Sequence, residues 1–205
     1  MVRIKSVFDS LSRHHYILYI FFRYFPKRRL ILNKKQIVDL VIAVFLILGG
    51  VILLIFPLAN FINVKYAFMG ILGFYGILNL IQFLMTRKSK DYEGLFTTIA
   101  SIIVLIISYN LQLNKVKWNL AFVLFIWVIL MSFIKLKKAD YYNDRKNKIW
   151  ILKIVTLIIF ILTGLLTTVN LYYSTDVQIL VLGFFFLIHG ILELVDPLVV
   201  YLMEK

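Results

Sequence analysis

The sequence predicts an all-α integral membrane protein with six transmembrane helices arranged as three helical hairpins. Hydrophobic residues make up 62% of the 205 residues and charged residues only 16%. Several apolar runs reach the roughly 20 residues that a helix needs to cross about 30 Å of hydrocarbon. A soluble core of this size could not bury so much apolar surface.

An internal repeat supports the division into hairpins. Residues 45–84 form two apolar runs joined by a short link, and the same pattern returns 114 residues later without a gap, so that Gly50 aligns with Gly164 and Gly76 with Gly190. A third, weaker copy lies between them at residues 95–136. Self-similarity at a fixed period is typical of repeated structural units. We therefore expect hairpins one and three to pack as pseudo-symmetric partners.

The chain divides into a basic amino-terminal segment, residues 1–37, and a transmembrane domain, residues 38–203. The six spans are expected at about residues 37–56, 66–85, 95–113, 118–136, 149–169 and 177–194. Within the basic segment, residues 16–25 are rich in aromatic side chains but too short to span a membrane. They form either a helix lying in the membrane interface or a topogenic stretch whose aromatic side chains pack on the bundle.

The distribution of Lys and Arg predicts the orientation. Nine precede the first span, three lie in the gap after span two, six lie in the gap after span four, and only three lie in the links on the other side. Because basic loops stay in the cytoplasm, both termini are predicted to be cytoplasmic in a multi-pass cell-membrane protein. The net charge of +13 therefore favours anionic lipid headgroups as partners of the amino-terminal segment, and nucleic acid is not expected as a partner.

Glycine and proline spacings carry a family resemblance over about residues 38–200. The pattern is Gly50 followed seven residues later by Pro57, then Gly70 and Gly76-Ile77, echoed at Gly164, Gly183 and Gly190-Ile191. It resembles the HdeD-like family of small six-helix bacterial inner-membrane proteins. The middle hairpin departs from the pattern, because Ala100 and Trp127 stand near two of the glycine positions, and Leu171 replaces the proline in hairpin three. The resemblance implies a role in acid or envelope stress.

Span six holds the first candidate site. His189 and Glu193 are four residues apart and therefore share one helical face. Counted from Ile179, His189 lies on the order of 15 Å into the membrane, a depth at which ionisable side chains are functional candidates. One interpretation is a proton relay, since a free imidazole titrates at about pH 6.5. The other is structural: neutral His189 hydrogen-bonds a neighbouring helix and Glu193 reaches the cytoplasmic headgroups.

Three further polar residues are candidates. Asp39 and Lys153 occupy equivalent repeat positions and carry opposite charges, so they either form a salt bridge between spans one and five or reach water separately. Asn79 is the repeat partner of Glu193 and is expected to hydrogen-bond between helices.

The glycines of the spans are predicted to let helix backbones approach closely, with a role as hinges as the alternative. These glycines are Gly50, Gly70, Gly73, Gly76, Gly164, Gly183 and Gly190.

No motif of soluble enzyme chemistry is present: there is no glycine-rich phosphate loop, no metal-ligand spacing, no serine elbow and no cysteine. The sequence therefore predicts a non-enzymatic membrane protein without a cofactor, acting through lipids, a protein partner or a homo-oligomer. The alternative is a small transporter or channel subunit with a polar path through spans two and six. Spans three and four contribute few polar residues, which favours the first interpretation.

The predicted orientation can be tested with topology reporters. Fusions placed after Asn63, Asn114 and Ser174 are expected to read extracytoplasmic, because these links hold only three of the loop Lys and Arg residues. Fusions within residues 137–147 serve as the cytoplasmic control. A cytoplasmic signal from any of the three links would contradict the orientation.

Overall fold

The computed structural model describes residues 34–55, 64–87, 92–111, 113, 117–173 and 177–203. It contains six α-helices: α1 (Lys34–Ile55), α2 (Val64–Thr86), α3 (Glu93–Asn110), α4 (Lys117–Asp144), α5 (Ile149–Tyr173) and α6 (Gln178–Met203). Each is long and apolar enough to span a membrane, and no strand occurs in the described residues. The predicted fold class is confirmed. The predicted interfacial helix at residues 16–25 lies outside the described residues.

Helices α4 and α6 continue two turns or more past the predicted ends of their spans. Helix α4 runs to Asp144, two turns beyond residue 136, because the charged stretch that follows the apolar run contains good helix formers such as Lys and Ala and no Gly or Pro. The helix stops before Lys146, whose φ of 52° is left-handed. Helix α6 passes through Pro197 and ends at Met203. A proline within a membrane helix is tolerated where neighbouring groups satisfy the freed backbone carbonyl.

The six helices form a closed ring. Each helix contacts its neighbours in sequence, and α1 also packs against α6, which closes the ring. The most extensive contacts join different hairpins, namely α1 with α6, α4 with α5 and α2 with α3, and the contacts within each hairpin are less extensive. The three hairpins therefore follow one another around the ring, and hairpins one and three meet directly through α1 and α6. Their predicted pseudo-symmetry stays a prediction.

Glycine makes the contact between α1 and α6 possible. A β-carbon at Gly50 would lie 2.5 Å from the backbone nitrogen of Leu187, and one at Gly190 would lie 2.7 Å from the backbone nitrogen of Ile47. Gly183 completes this surface, with its β-carbon position 3.0 Å from the carbonyl oxygen of Gly50. Backbone atoms cannot move aside as a flexible side chain can, so only glycine permits the two helices to approach this closely.

The other glycines differ in their surroundings. Gly164 packs on the side chain of Val128 in α4, and Gly76 packs on Ser101 in α3, so both lie in contacts between hairpins as predicted. Gly73 is only in loose contact, 3.9 Å from Leu105. Gly70 is exposed and its β-carbon position has nothing within 4 Å. The predicted packing role is wrong for Gly70, because that face of α2 points away from the ring.

Aromatic rings fill the centre of the helix ring. Tyr75 of α2, Trp127 of α4 and His189 of α6 contact one another. The ring centroids are 5.8 Å apart for Tyr75 and Trp127, 5.3 Å for Trp127 and His189, and 5.7 Å for Tyr75 and His189. Each comes from the second helix of its hairpin, and Tyr75 and His189 are equivalent in the 114-residue repeat. Phe160 and Phe185 surround this group. We call Tyr75, Trp127 and His189 the central triad.

The contact between α1 and α6 can be tested by adding one methyl group. Gly50→Ala is expected to lower the melting temperature of the detergent-solubilised protein sharply, because the new β-carbon would overlap backbone atoms; overpacking costs about 1–3 kcal/mol even where side chains can adjust.

Gly70→Ala is the matched control, since its β-carbon enters open space and alanine favours helix. Its melting temperature should stay the same or rise. Equal melting temperatures for the two variants would contradict the close packing of α1 on α6.

Candidate functional site: a charged chamber at one end of the ring

Ion pairs join the helices at one end of the ring. This end, where α1, α3 and α5 begin and α2 and α4 end, is called the basic end. The described contacts there pair Lys35 with Glu93, Lys138 with Glu93 and Lys135 with Glu193. Each pair links two different helices. Together they connect α1, α3, α4 and α6.

Glu93 lies between two lysines. Its Oε2 accepts a hydrogen bond from Nζ of Lys35 at 3.3 Å, and its Oε1 accepts one from Nζ of Lys138 at 2.5 Å. The start of α3 is itself held close to α2, because a β-carbon at Gly94 would lie 2.5 Å from the carbonyl oxygen of Asn79. Glycine at position 94 therefore places the Glu93 carboxylate beside the two ammonium groups.

Glu193 pairs with Lys135, whose Nζ lies 2.6 Å from Oε1 of the carboxylate. The two side chains are only 14% and 15% exposed. The structural interpretation placed Glu193 among the cytoplasmic headgroups, and this is wrong because the side chain turns inward towards α4. Lys135 also lies 5.4 Å from the centre of the Phe160 ring. Such a buried pair is costly to break, since either partner alone would be a buried charge.

The ion pairs border a small polar chamber with a volume of about 20 Å³. Space of this size holds about one water molecule. Its polar lining comes from five helices and comprises Asp39, Tyr75, Asn79, Gln82, Glu93, Thr97, Lys135, Lys138 and Glu193. With Lys35, which binds Glu93, three carboxylates face three ammonium groups. The formal charges of these six side chains therefore cancel.

Of the other polar residues predicted from the sequence, Asp39 and Asn79 line this chamber and Lys153 does not. Asp39 lines it and accepts a hydrogen bond from Nε2 of Gln82. Asn79 lines it too, and its Nδ2 donates to the carbonyl oxygen of Tyr75 in its own helix at 2.8 Å. The hydrogen bond predicted between helices stays a prediction. Lys153 is buried, and its ammonium lies 5.7 Å from the centre of the Tyr142 ring. The structure thus brings Asp39 to Gln82 and Lys153 to Tyr142.

His189 lies one helical turn deeper than Glu193 and is 1% exposed. Its Nε2 is 3.6 Å from Oε1 of Glu193, too far for a hydrogen bond. Neither ring nitrogen has a hydrogen-bond partner among the described residues, and the same holds for Nε1 of Trp127. His189 is enclosed by the helices, whereas the hydrogen bond to a neighbouring helix expected for a structural role is not found among the described residues.

Tyr75 of the central triad lines the chamber on the side away from the basic end, and the rings of Trp127 and His189 pack against Tyr75. Tyr75 is one turn deeper than Asn79, and His189 is one turn deeper than Glu193. The next turn inward contributes Phe185 and Phe186, which pack on Trp127. The chamber is therefore polar at its basic end and ends on an aromatic floor.

Tyr75, Gln82, Glu93, Thr97, Lys135 and Lys138 are the polar lining residues that sequence reasoning missed, and the two lysines were missed because they were counted only as loop charges. The available signal was the spacing within α4: Lys135 and Lys138 are three residues apart and so share a face once the helix is extended past residue 136. Within the described part of the chain, no group of three His, Asp or Glu residues is placed to hold a metal ion.

Comparison with known proteins identifies a repeat. The family model described as a short repeat of unknown function (DUF308) matches residues 41–111 and 155–199. The two ranges begin 114 residues apart, which is the offset of the internal repeat. No curated protein and no solved structure gives a significant match.

Breaking the pair between Lys135 and Glu193 should destabilise the fold. Lys135→Met is expected to cost about 3–5 kcal/mol, because it leaves a carboxylate buried without its cation. The double variant Lys135→Met with Glu193→Leu should recover most of this loss. Unfolding midpoints of the detergent-solubilised variants measure both effects.

Lys148→Met, an exposed lysine at the same end, is the matched control and should change stability by less than about 0.5 kcal/mol. If the double variant is no more stable than Lys135→Met, the pair does not carry the effect.

Proposed function

This chain belongs to the DUF308 family, a family of small multi-span membrane proteins that includes HdeD-like proteins, and from this premise we propose that it is a non-enzymatic protein of the cell membrane that acts in acid or envelope stress. The observation that carries the proposal is the chamber, in which carboxylates and lysines from different helices hold each other. A volume of about 20 Å³ suits water rather than an organic substrate.

Low pH can act on the chamber by protonating one of its carboxylates. Protonation of Glu193 removes one negative charge and leaves Lys135 buried without its counter-charge. An unpaired buried charge is strongly unfavourable, so Lys135 would move towards water and α4 and α6 would separate at the basic end. A protein of this kind would transmit the change to lipids or to a partner protein that contacts the same end.

We further propose that the basic end faces the cytoplasm, which places both termini inside. The asymmetry of Lys and Arg between the two sets of loops supports this orientation. The ion pairs between α1, α3, α4 and α6 support a single basic end that holds all the Lys- and Arg-rich gaps.

The second candidate function is a small transporter or channel subunit. The convergence of polar side chains from five helices on one chamber favours it. Helices α3 and α4 were expected to add few polar groups, yet they supply Glu93, Thr97, Lys135 and Lys138. Against this function stands the aromatic floor, since the chamber ends at the central triad and is too small for a solute larger than water.

The proposal is tested by survival of acid challenge in cells that lack the gene and carry a plasmid copy. The double variant Lys135→Met with Glu193→Leu should fold but give survival no better than the empty plasmid, because the ion pair that responds to protons is gone. His189→Gln should match wild type, since His189 lies below the chamber. Lys148→Met is the charge-matched control and should also match wild type.

Three outcomes contradict the proposal. Full survival with the double variant would separate the stress role from the chamber, and loss of survival with His189→Gln would favour a proton relay. Purified protein in liposomes should not dissipate an imposed pH gradient, as followed by an enclosed pH-sensitive dye. Dissipation that the double variant abolishes would favour the transporter.

A further inference from the structure

A second and much larger hollow lies beside the chamber, between α3 and α4 at the basic end. Its volume is about 620 Å³, within the range of pockets that hold small molecules. Five aromatic side chains, three lysines, Ile134 and Glu93 line it. Glu93 and Lys138 border both this pocket and the chamber.

The lining of the pocket changes character with depth. Lys137, Tyr141 and Tyr142 lie at its outer end, on the last turns of α4. Phe133 lies four residues before Lys137, and Phe96 lies four residues after Tyr92, so each phenylalanine is about 6 Å nearer the membrane centre. Both phenylalanines are exposed in the described structure. Polar groups outside and apolar groups inside match the order of headgroup and acyl chain in a lipid.

The positive charge of the pocket favours a negatively charged occupant. Three ammonium groups, those of Lys35, Lys137 and Lys138, face the single carboxylate of Glu93. Lys137 is 85% exposed, and its nearest described carboxylate, that of Asp140, is 3.9 Å away. An anionic group entering from the membrane surface would therefore meet a positive pocket with Lys137 at its mouth.

Other occupants fit less well. Residues 1–33 carry seven Lys and Arg against one Asp, so this segment has the same sign as the pocket. The hollow of about 400 Å³ between α4 and α5 at the opposite end is lined by apolar and uncharged residues, including Phe122, Phe125 and Tyr172, and offers a headgroup no charge. The positive, amphipathic pocket at the basic end is the one suited to a charged lipid.

We propose that the pocket between α3 and α4 binds a phospholipid with an anionic headgroup, taken from the leaflet that surrounds the basic end. Its phosphate would lie against Lys137 and the hydroxyl of Tyr141, and one acyl chain would run along Phe133 and Phe96. This inference does not depend on the proposed stress role.

The test is native mass spectrometry of the delipidated full-length protein in detergent, titrated with phosphatidylglycerol or with phosphatidylcholine of the same acyl chains. One phosphatidylglycerol should bind at least fivefold more tightly than phosphatidylcholine. Lys137→Gln should weaken phosphatidylglycerol about fivefold, the effect of one basic residue near a charged headgroup. Phe133→Ser should weaken both lipids.

Lys148→Gln is the matched control: it removes the same charge from the same end of the protein but lies outside the pocket lining, and should change affinity by less than about twofold. Equal effects of Lys137→Gln and Lys148→Gln, or equal affinities for the two lipids, would overturn the proposal. So would displacement of the lipid by glycerophosphoglycerol at similar concentration, since a headgroup without acyl chains would then suffice.

Discussion

The backbone contact between α1 and α6 is the constraint on which the other features depend. Gly50 and Gly190 leave no room for a β-carbon between the two helices, so the first and last helices of the ring lie against each other. Closure brings one side chain from the second helix of each hairpin to the centre, where Tyr75, Trp127 and His189 meet. It also brings the charged ends of α1, α3, α4 and α6 within reach of one another.

The ion pairs at the basic end act on the arrangement of the helices more than on total stability. A buried pair regains through attraction roughly what it loses by leaving water, so its net contribution to the free energy of folding is small. A displaced helix, however, would leave a lysine or a glutamate alone in a region of low dielectric constant. Glu93, which binds lysines from both α1 and α4, therefore fixes three helices in register at once.

Periodic features of the sequence predicted much of the fold. The apolar runs define six spans because hydrocarbon thickness sets helix length, and the repeat of Gly50 at Gly164 marks two positions where neighbouring helices leave no room for a β-carbon. His189 was recognisable because a titratable residue within an apolar run is rare. Chamber residues such as Lys135 were not, because they lie where an apolar run ends, and a charge there looks the same in sequence whether it faces water or a neighbouring helix.

The 114-residue offset of the repeat relates other residues as well as the glycines. Applied to Tyr75 it gives His189, so the sequence already paired two members of the central triad, although Trp127 lies in the weakened middle copy and could be placed only by the structure.

A ring built from three hairpins in one polypeptide differs from a trimer of separate, identical hairpins. Head-to-tail contacts that close after three copies would be the same in both, but a homotrimer must place the same residue three times on its axis. Covalent linkage removes that rule. Each copy can therefore carry a different residue at the centre, where the protein has a single imidazole flanked by a phenol and an indole. The middle copy lacks the glycines, and only the last copy has a histidine at the centre. Both differences are possible because the three copies need not be identical.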